Sequence, residues 1–374
     1  MLVVRAARRT DLEGLMALAA LVGDGMTTLK ADLRMLGQRL ETAVASFSGS
    51  LPAPERDYLF VMEDTASALL VGVCAIKAAV GLREPFYNYR IGTLVHSSIE
   101  LNIFSQMETL YLSNDLSGCA ELCSLFLHPA YRNSGNGSNG SGGKLLSKSR
   151  FLFMAQFAHL FGPTVIAEMR GFQRADGASP FWESLGRHFF QMDFKRADDL
   201  SALGKKSFIA ELMPRHPLYV AYLPQEAQAV IGKVHVDTAP ARHLLEQEGM
   251  FYAGYVDIFD AGPVLQARVS DLRAARDSVL ATTTLAAASH AEVRAMPMLV
   301  ALTRVEDFRV IVAEAGVTGV TGVTSVSGVT GAADARDAGA PCIGLTAGQH
   351  AALAIVPGAS VRLLPLALRR AVNG

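Results

Sequence analysis

The sequence is poor in cysteine, tryptophan and charge. Across 374 residues it holds four cysteines and one tryptophan; 18% of residues are charged and the formal net charge is −1. The thiols Cys74, Cys119, Cys123 and Cys342 are sparse and sit in apolar contexts. No His or further Cys stands at metal-ligand spacing from the Cys119/Cys123 pair, so no metal is expected. They read as buried thiols in a reducing cytoplasm. Near-zero net charge argues against a general nucleic-acid binder, which rests on a basic footprint. Long apolar runs are also missing: the best stretches, 12–22 and 151–161, fall short of the roughly 18 residues that a membrane span needs. No basic leader and cleavage site is evident at the start, so no signal peptide is expected.

What is present is apolar and mixed. Half the residues are apolar and the mean hydropathy is +0.26, which excludes a disordered chain. The length suggests two or three domains.

Val3-Val4-Arg5 reads as a strand, followed by a turn in which Thr10 or Asp11 caps a helix carrying Leu12, Leu15, Met16 and Ala19 on one face. A more broken helical stretch covers 29–47. Residues 58–62 and 69–76 form a hairpin around a polar turn at 63–67. Residues 121–127 are a buried strand ended by His128-Pro129, and a Gly/Asn/Ser-rich loop follows. Helical periodicity runs from Leu145 to Phe161. Further strands are expected at 165–169, 207–212 and 255–259, with short helices opening at Pro180 and covering 241–249. After about 275, alanine, valine, threonine and glycine dominate. The Gly-Val-Thr triplets near 316–324 are too few for a solenoid and read as an insertion. That insertion sits in a small β-rich C-terminal domain, residues 276–374, with strands near 308–312 and 360–364. Residues 1–275 form a first, larger domain.

Gly135-Asn136-Gly137-Ser138-Asn139-Gly140 is a literal G-x-G-x-x-G. A dinucleotide fingerprint needs its first glycine near the strand end and an acid about 20 residues on; here seven residues intervene and no acid follows at that distance. A Walker A loop fails as well, because Leu145 follows Gly143-Lys144. Arg132-Asn133-Ser134-Gly135-Asn136-Gly137 fits better as R-x-x-G-x-G between a strand and a helix. Successive N–H groups and a helix N-terminus there suit a pyrophosphate.

That order of elements, with Pro180-Phe181-Trp182-Glu183-Ser184-Leu185-Gly186 after the next strand, resembles the GCN5-related acyl-CoA N-acyltransferase fold: an α+β mixed sheet flanked by helices. Longer blocks sharpen the likeness. Residues 87–96, 121–127, 147–151, 179–186, 210–217, 232–235, 238–242 and 257–260 resemble the arginine N-succinyltransferase family, in family order from residue 1 to about 276. The resemblance implies transfer of succinyl from succinyl-CoA to the α-amino group of L-arginine, as the entry step of arginine degradation. It also implies no permanently bound cofactor, no nucleic-acid or membrane partner, a homo- or hetero-oligomer, and a cytoplasmic location. By matching blocks, the proton donor falls on His235 and a succinyl-CoA contact on Leu125. Leu127 shares the strand face of Leu125 and is inferred to help hold the pantetheine arm. Arg132, Gly135, Asn136 and Gly137 are the expected pyrophosphate contacts, although about six extra residues before Leu145 leave Gly142-Gly143 as an alternative.

The chemistry needs a neutral amine, a polarised thioester and protonation of the leaving thiolate. Histidine suits the proton steps. The family match favours His235 over the ordinary reading of a lone histidine as structural. His96 and His216 are second choices for substrate contact. Glu168, Glu211, Asp257 and Asp260 are candidates for the guanidinium, and Arg90 and Arg170 for the carboxylates. Trp182 reads as a core anchor. Competing readings are an acyltransferase using ornithine or another acyl-CoA, and a non-catalytic subunit of a hetero-oligomer.

Overall fold

The computed structural model describes every residue except 23–25, 27, 133–140, 203–206, 287–294, 316, 319–340 and 368–374. The expected pyrophosphate contacts Gly135, Asn136 and Gly137, and most of the Gly-Val-Thr repeat, lie outside the described residues. None of the described helices is long and apolar enough to cross a membrane.

Strands β1 (Leu2–Ala6), β2 (Asp57–Asp64) and β3 (Leu69–Lys77) begin the sheet, with α1 (Leu12–Val22) and α2 (Leu33–Phe47) between the first two. Asp32 caps α2, accepting from the Met35 N–H at 2.8 Å. Asp11, expected as a cap for α1, is instead buried in a bidentate pair with Arg5 at 2.8 and 2.9 Å. β2 shows why these runs read as continuous apolar segments. Leu59 and Val61 pack under α1 and α2, with Leu15, Leu18, Leu36 and Leu40. Tyr58, Phe60 and Met62 point the other way, to Leu146 and Phe153 of α3 (Gly142–Gln156). Period-two alternation with both faces covered leaves no polar positions.

A long hairpin, β4 (Asn88–Ser98) and β5 (Ile103–Ser113), precedes β6 (Ala120–Leu127), and β7 (Thr164–Glu168) follows α3. The expected helix at Pro180 is a single π-type turn over Trp182–Gly186, followed by α4 (Arg187–Phe190). Next come α5 (Phe194–Ala202) and α6 (Ser207–Leu212). The strand expected at 207–212 is therefore a helix: six residues with alternating apolar character do not separate the two periods, and Ile209 packs into the cluster around Trp182. Trp182 is fully buried, stacked on Phe190 at 5.2 Å, with Nε1 donating to Met192 O at 3.0 Å. The chain continues through β8 (Leu218–Tyr219), α7 (Gln225–Gln228), α8 (Ala239–Gln247), β9 (Phe251–Asp257), β10 (Pro263–Arg268) and α9 (Arg273–Asp277).

The remaining elements are β11 (Val279–Leu285), β12 (Met296–Leu302), β13 (Arg309–Ala315), β14 (Val317–Thr318), β15 (Cys342–Leu345), α10 (Ala347–Leu353) and β16 (Ser360–Pro365). All strands join one mixed sheet in the order β14-β15-β11-β16-β12-β13-β1-β2-β3-β6-β7-β10-β9-β4-β5-β8. The C-terminal strands extend it through β13, which pairs antiparallel with β1 in the register Val3↔Ile311, Val4↔Val310. Lys148 of α3 and Arg273 both bond Glu248 Oε1, at 2.5 and 2.8 Å, in a buried triad tying α3 to the end of α8 and to α9.

Candidate active site

The sheet opens at its centre. β6 and β7 run parallel, yet they pair only at Ala120↔Val165 and Glu121↔Ile166. Beyond that point β6 stays on β3 and the two strands part. The same stretch of β6 carries a bulge: Val73 faces Phe126 and Ala75 faces Cys123, so Ser124 and Leu125 together oppose Cys74. Ser124 takes a left-handed φ of 55° there, and its Oγ is buried without a hydrogen-bond partner.

Leu125 and Leu127 are half-buried on the α3 face of β6. A side chain added at Gly142, the first residue of α3, would meet Leu127 Cδ2 at 3.6 Å, so the strand end and the helix start meet directly. Arg132 closes this end: its Nε donates to Leu127 O at 2.7 Å and its guanidinium lies 5.0 Å from the Phe126 ring centroid. The structure thus brings Leu125, Leu127 and Arg132 to one mouth, at the N-terminus of a 15-residue helix whose dipole favours an anion.

The opposite wall is the continuation of β7. Arg170, like Leu125, lies four residues past the last β6–β7 pair. Its carbonyl accepts the His235 N–H at 2.8 Å, and Gly171 bridges Val234. His235 is therefore carried by the wall that continues β7, across the opening from β6. Its Nδ1 accepts the Asp237 N–H at 3.2 Å, which in the neutral ring leaves the proton on Nε2. The Asp237 carboxylate, 3.6 Å away, is 77% exposed and adds little. The His235 side chain is 17% exposed, shielded but reachable.

Asp260 holds this wall in place. Its Oδ2 accepts the Gly171 N–H at 2.7 Å and its Oδ1 the Gly262 N–H at 2.9 Å. The approach is so close that a Cβ at Gly262 would lie 2.0 Å from Met169 O. Burial, reinforced by Asp257, pushes the Asp260 carboxyl upward against those two bonds. Both oxygens are committed to backbone, so this candidate for guanidinium binding is a structural clamp.

Other sequence candidates divide. Glu168 Oε1 accepts from Asn88 Nδ2 at 2.7 Å, and Asn88 pairs with Asp257 in register. Both acids thus lie at the end of β7 near Arg170, whose Nε is buried without a partner and whose Nη2 bonds Gln173. Asp257 Oδ1 accepts the Phe259 and Asp260 N–H groups. Glu211 and His216 are exposed and the structure brings neither to this cluster. Arg90 lies on the surface against Asp115 at 3.4 Å and over the Tyr255 ring at 5.6 Å. His96 is exposed and bonded to Tyr219 Oη at 3.4 Å. Cys74 is buried, whereas Cys119, Cys123 and Cys342 are half-buried, and no cluster of metal-ligating side chains occurs among the described residues.

Sequence reasoning missed Asp198 on α5. Burial and the nearby Asp257 push its carboxyl up to about 7, with Arg170 opposing. An acid on a polar helix 59 residues before Asp257 gives no local sign of that approach.

Comparisons with known proteins place the chain in a family. The family model described as arginine N-succinyltransferase beta subunit matches residues 2–274. The arginine N-succinyltransferase of Enterobacter sp. (strain 638) is 54% identical over 282 residues, covering 75% of this chain and 80% of that protein. That of Shigella flexneri serotype 5b is 50% identical over 313 residues, covering 84% and 89%. Subunit AI of the arginine/ornithine succinyltransferase from Pseudomonas aeruginosa superposes with a TM-score of 0.82 at 32% identity, over 98% of this chain and 99% of that one. With the family match spanning β1 to β10 and the opening between β6 and β7, this chain belongs to the arginine N-succinyltransferase family.

Proposed function

We propose that this chain transfers the succinyl group of succinyl-CoA to the α-amino group of L-arginine, with His235 moving the proton. The observation that carries the reading is His235 held by Arg170 O at 2.8 Å, opposite the β6 bulge across the β6–β7 opening. The pyrophosphate lies at the mouth formed by Arg132 and the start of α3, and the loop residues Gly135, Asn136 and Gly137 contribute its remaining contacts. The pantetheine arm runs between the parted strands along Leu127 and Leu125, which places the thioester at the bulge.

The neutral α-amine attacks the thioester carbonyl and forms the new C–N bond. The C–S bond breaks as the tetrahedral intermediate collapses, and His235 passes the proton lost from nitrogen to the departing thiolate. The acceptor brings a guanidinium and a carboxylate. Asp198 and Asp257 are suited to the first, and Arg170, with its unpartnered Nε, to the second. No permanently bound cofactor takes part, and the enzyme works in the cytoplasm as a homo- or hetero-oligomer.

The test is a thiol-release assay across acyl-CoA donors and basic amino acids. Succinyl-CoA with L-arginine is the expected productive pair. Activity with acetyl-CoA but not succinyl-CoA would overturn the reading. Ornithine is a second acceptor to include, since the solved neighbour is a subunit of an arginine/ornithine succinyltransferase. No release with any pair would favour a non-catalytic subunit.

A further inference from the structure

Two basic side chains of α3 are taken out of water, and their surroundings differ. Lys148 meets Glu248. Arg150 is 2% exposed and meets no carboxylate among the described residues. Its Nε donates to Ser147 O at 3.3 Å and its Nη2 to Ser147 Oγ at 3.2 Å, both within its own helix. The ionisable groups that bear on it are the thiols Cys74 and Cys123. Burial raises both, Cys74 to about 11, so neither offers an anion near neutral pH. A guanidinium stays protonated even when burial lowers its pKa, and a buried cation without a counter-charge is costly to keep.

Its position in the fold says which anion it meets. Cys74 Sγ donates to Leu146 O at 3.4 Å, fixing that turn of α3 over β3. Arg150 lies one turn further along the same helix, on the face toward the sheet. Cys74 is the residue opposed by the Ser124–Leu125 bulge, so Arg150 stands near the level where the thioester lies. The start of α3, at Gly142, is eight residues earlier, about 12 Å along the helix axis. That separation removes Arg150 from the pyrophosphate and leaves it to the acyl end of the donor. The bulge adds a buried polar group without a partner, Ser124 Oγ.

We propose that Arg150 binds the distal carboxylate of the succinyl group and makes the site select a dicarboxylic acyl-CoA over a neutral one of equal length. The inference rests on the donor reading given above. The guanidinium offers Nη1 and Nη2 as a fork to the two carboxylate oxygens, and Ser147 fixes the fork from behind.

Arg150→Met and Arg150→Lys test it, with initial rates on succinyl-CoA and butyryl-CoA and calorimetric affinities for CoA and both acyl-CoAs. The Met variant is expected to lose about 100-fold in kcat/KM for succinyl-CoA, as follows from removing one partner of a buried charge pair. It keeps or gains activity with butyryl-CoA and binds CoA as the wild type does, while the Lys variant recovers part of the loss. Equal losses with both donors, or an unchanged donor preference, overturn the inference. If the Met variant does not fold, the wild-type affinities decide: succinyl-CoA should bind about tenfold or more tightly than butyryl-CoA, and equal binding overturns it. Wild-type turnover is recorded first. Its absence with succinyl-CoA refutes the proposed reaction and this inference together, whereas turnover with an unaltered preference in the variants refutes only the role of Arg150.

Discussion

The backbone N–H of His235 donates to the carbonyl oxygen of Arg170 across 2.8 Å. This bond fastens the proposed proton donor to the chain that continues β7, and Asp260 fastens that chain in turn through the Gly171 N–H. The backbone that carries the imidazole thus depends on two hydrogen bonds from segments distant in sequence, while the ring itself is oriented by the Asp237 N–H of its own short turn.

Replacing His235 by alanine is expected to lower turnover by about 10²- to 10⁴-fold, the range of a lost general acid–base group. Affinity for CoA and the unfolding midpoint should stay near wild type, because the ring's one hydrogen bond is local, to Asp237. Thiol-release kinetics with calorimetry check this, and wild-type turnover in the mutant would remove His235 from the chemistry.

Asp260→Asn turns one of two acceptors into a donor aimed at a backbone N–H. The expected cost is about 1–3 kcal/mol of stability, from an unsatisfied buried pair. A slower kcat should accompany it, since the segment carrying Arg170 and His235 loosens. Denaturant unfolding and steady-state kinetics read the two effects separately.

Asp198 makes stability depend on pH in the direction opposite to a salt-bridged acid. Its folded value, about 7, lies above the ordinary carboxylate range, so between pH 4 and 7 the native state holds a proton that the unfolded chain has lost. This contribution to stability therefore falls as pH rises through that window and levels off above 7. Asp198→Asn should flatten the slope and be more stable than wild type at pH 8 by roughly 1–3 kcal/mol. Unfolding curves at pH 5, 6, 7 and 8 decide it; identical slopes would show that Asp198 ionises freely in the fold.

Glu248→Gln removes the only carboxylate of the Lys148–Glu248–Arg273 triad and leaves two buried cations facing each other. A loss of about 3–5 kcal/mol is expected. Because the triad joins α3 to α8 and α9, the variant should unfold at markedly lower denaturant with little change in the acyl-CoA preference of the folded fraction.

Much of the central sheet was legible because burial on both faces writes itself as apolar runs. Residues 58–62, 69–76 and 121–127 are strands as read, 165–169 is β7 displaced by one residue, and the helix expected over 145–161 is α3, which ends at Gln156. The hairpin β4–β5 was not, since most of β4 beyond Asn88 and Tyr89 is exposed or half-buried and carries no alternation. The error at 207–212 has the same root: a short segment whose period is ambiguous until a partner, here the Trp182 cluster, supplies a face.

Sequence by itself determined the family and most of the central strands, because those follow from contiguous blocks and from local patterns of burial. Only the tertiary structure decided what each polar group does. Asp260 serves as a clamp because two distant N–H groups converge on it. Arg90 belongs to the surface because Asp115 and Tyr255 are its neighbours. Arg150, one basic residue in an ordinary helix by sequence, lies buried without a counter-charge among the described residues, between α3 and the strands that carry Cys74 and Cys123. Charge and hydrogen bonding act across space, and separation along the chain does not encode them.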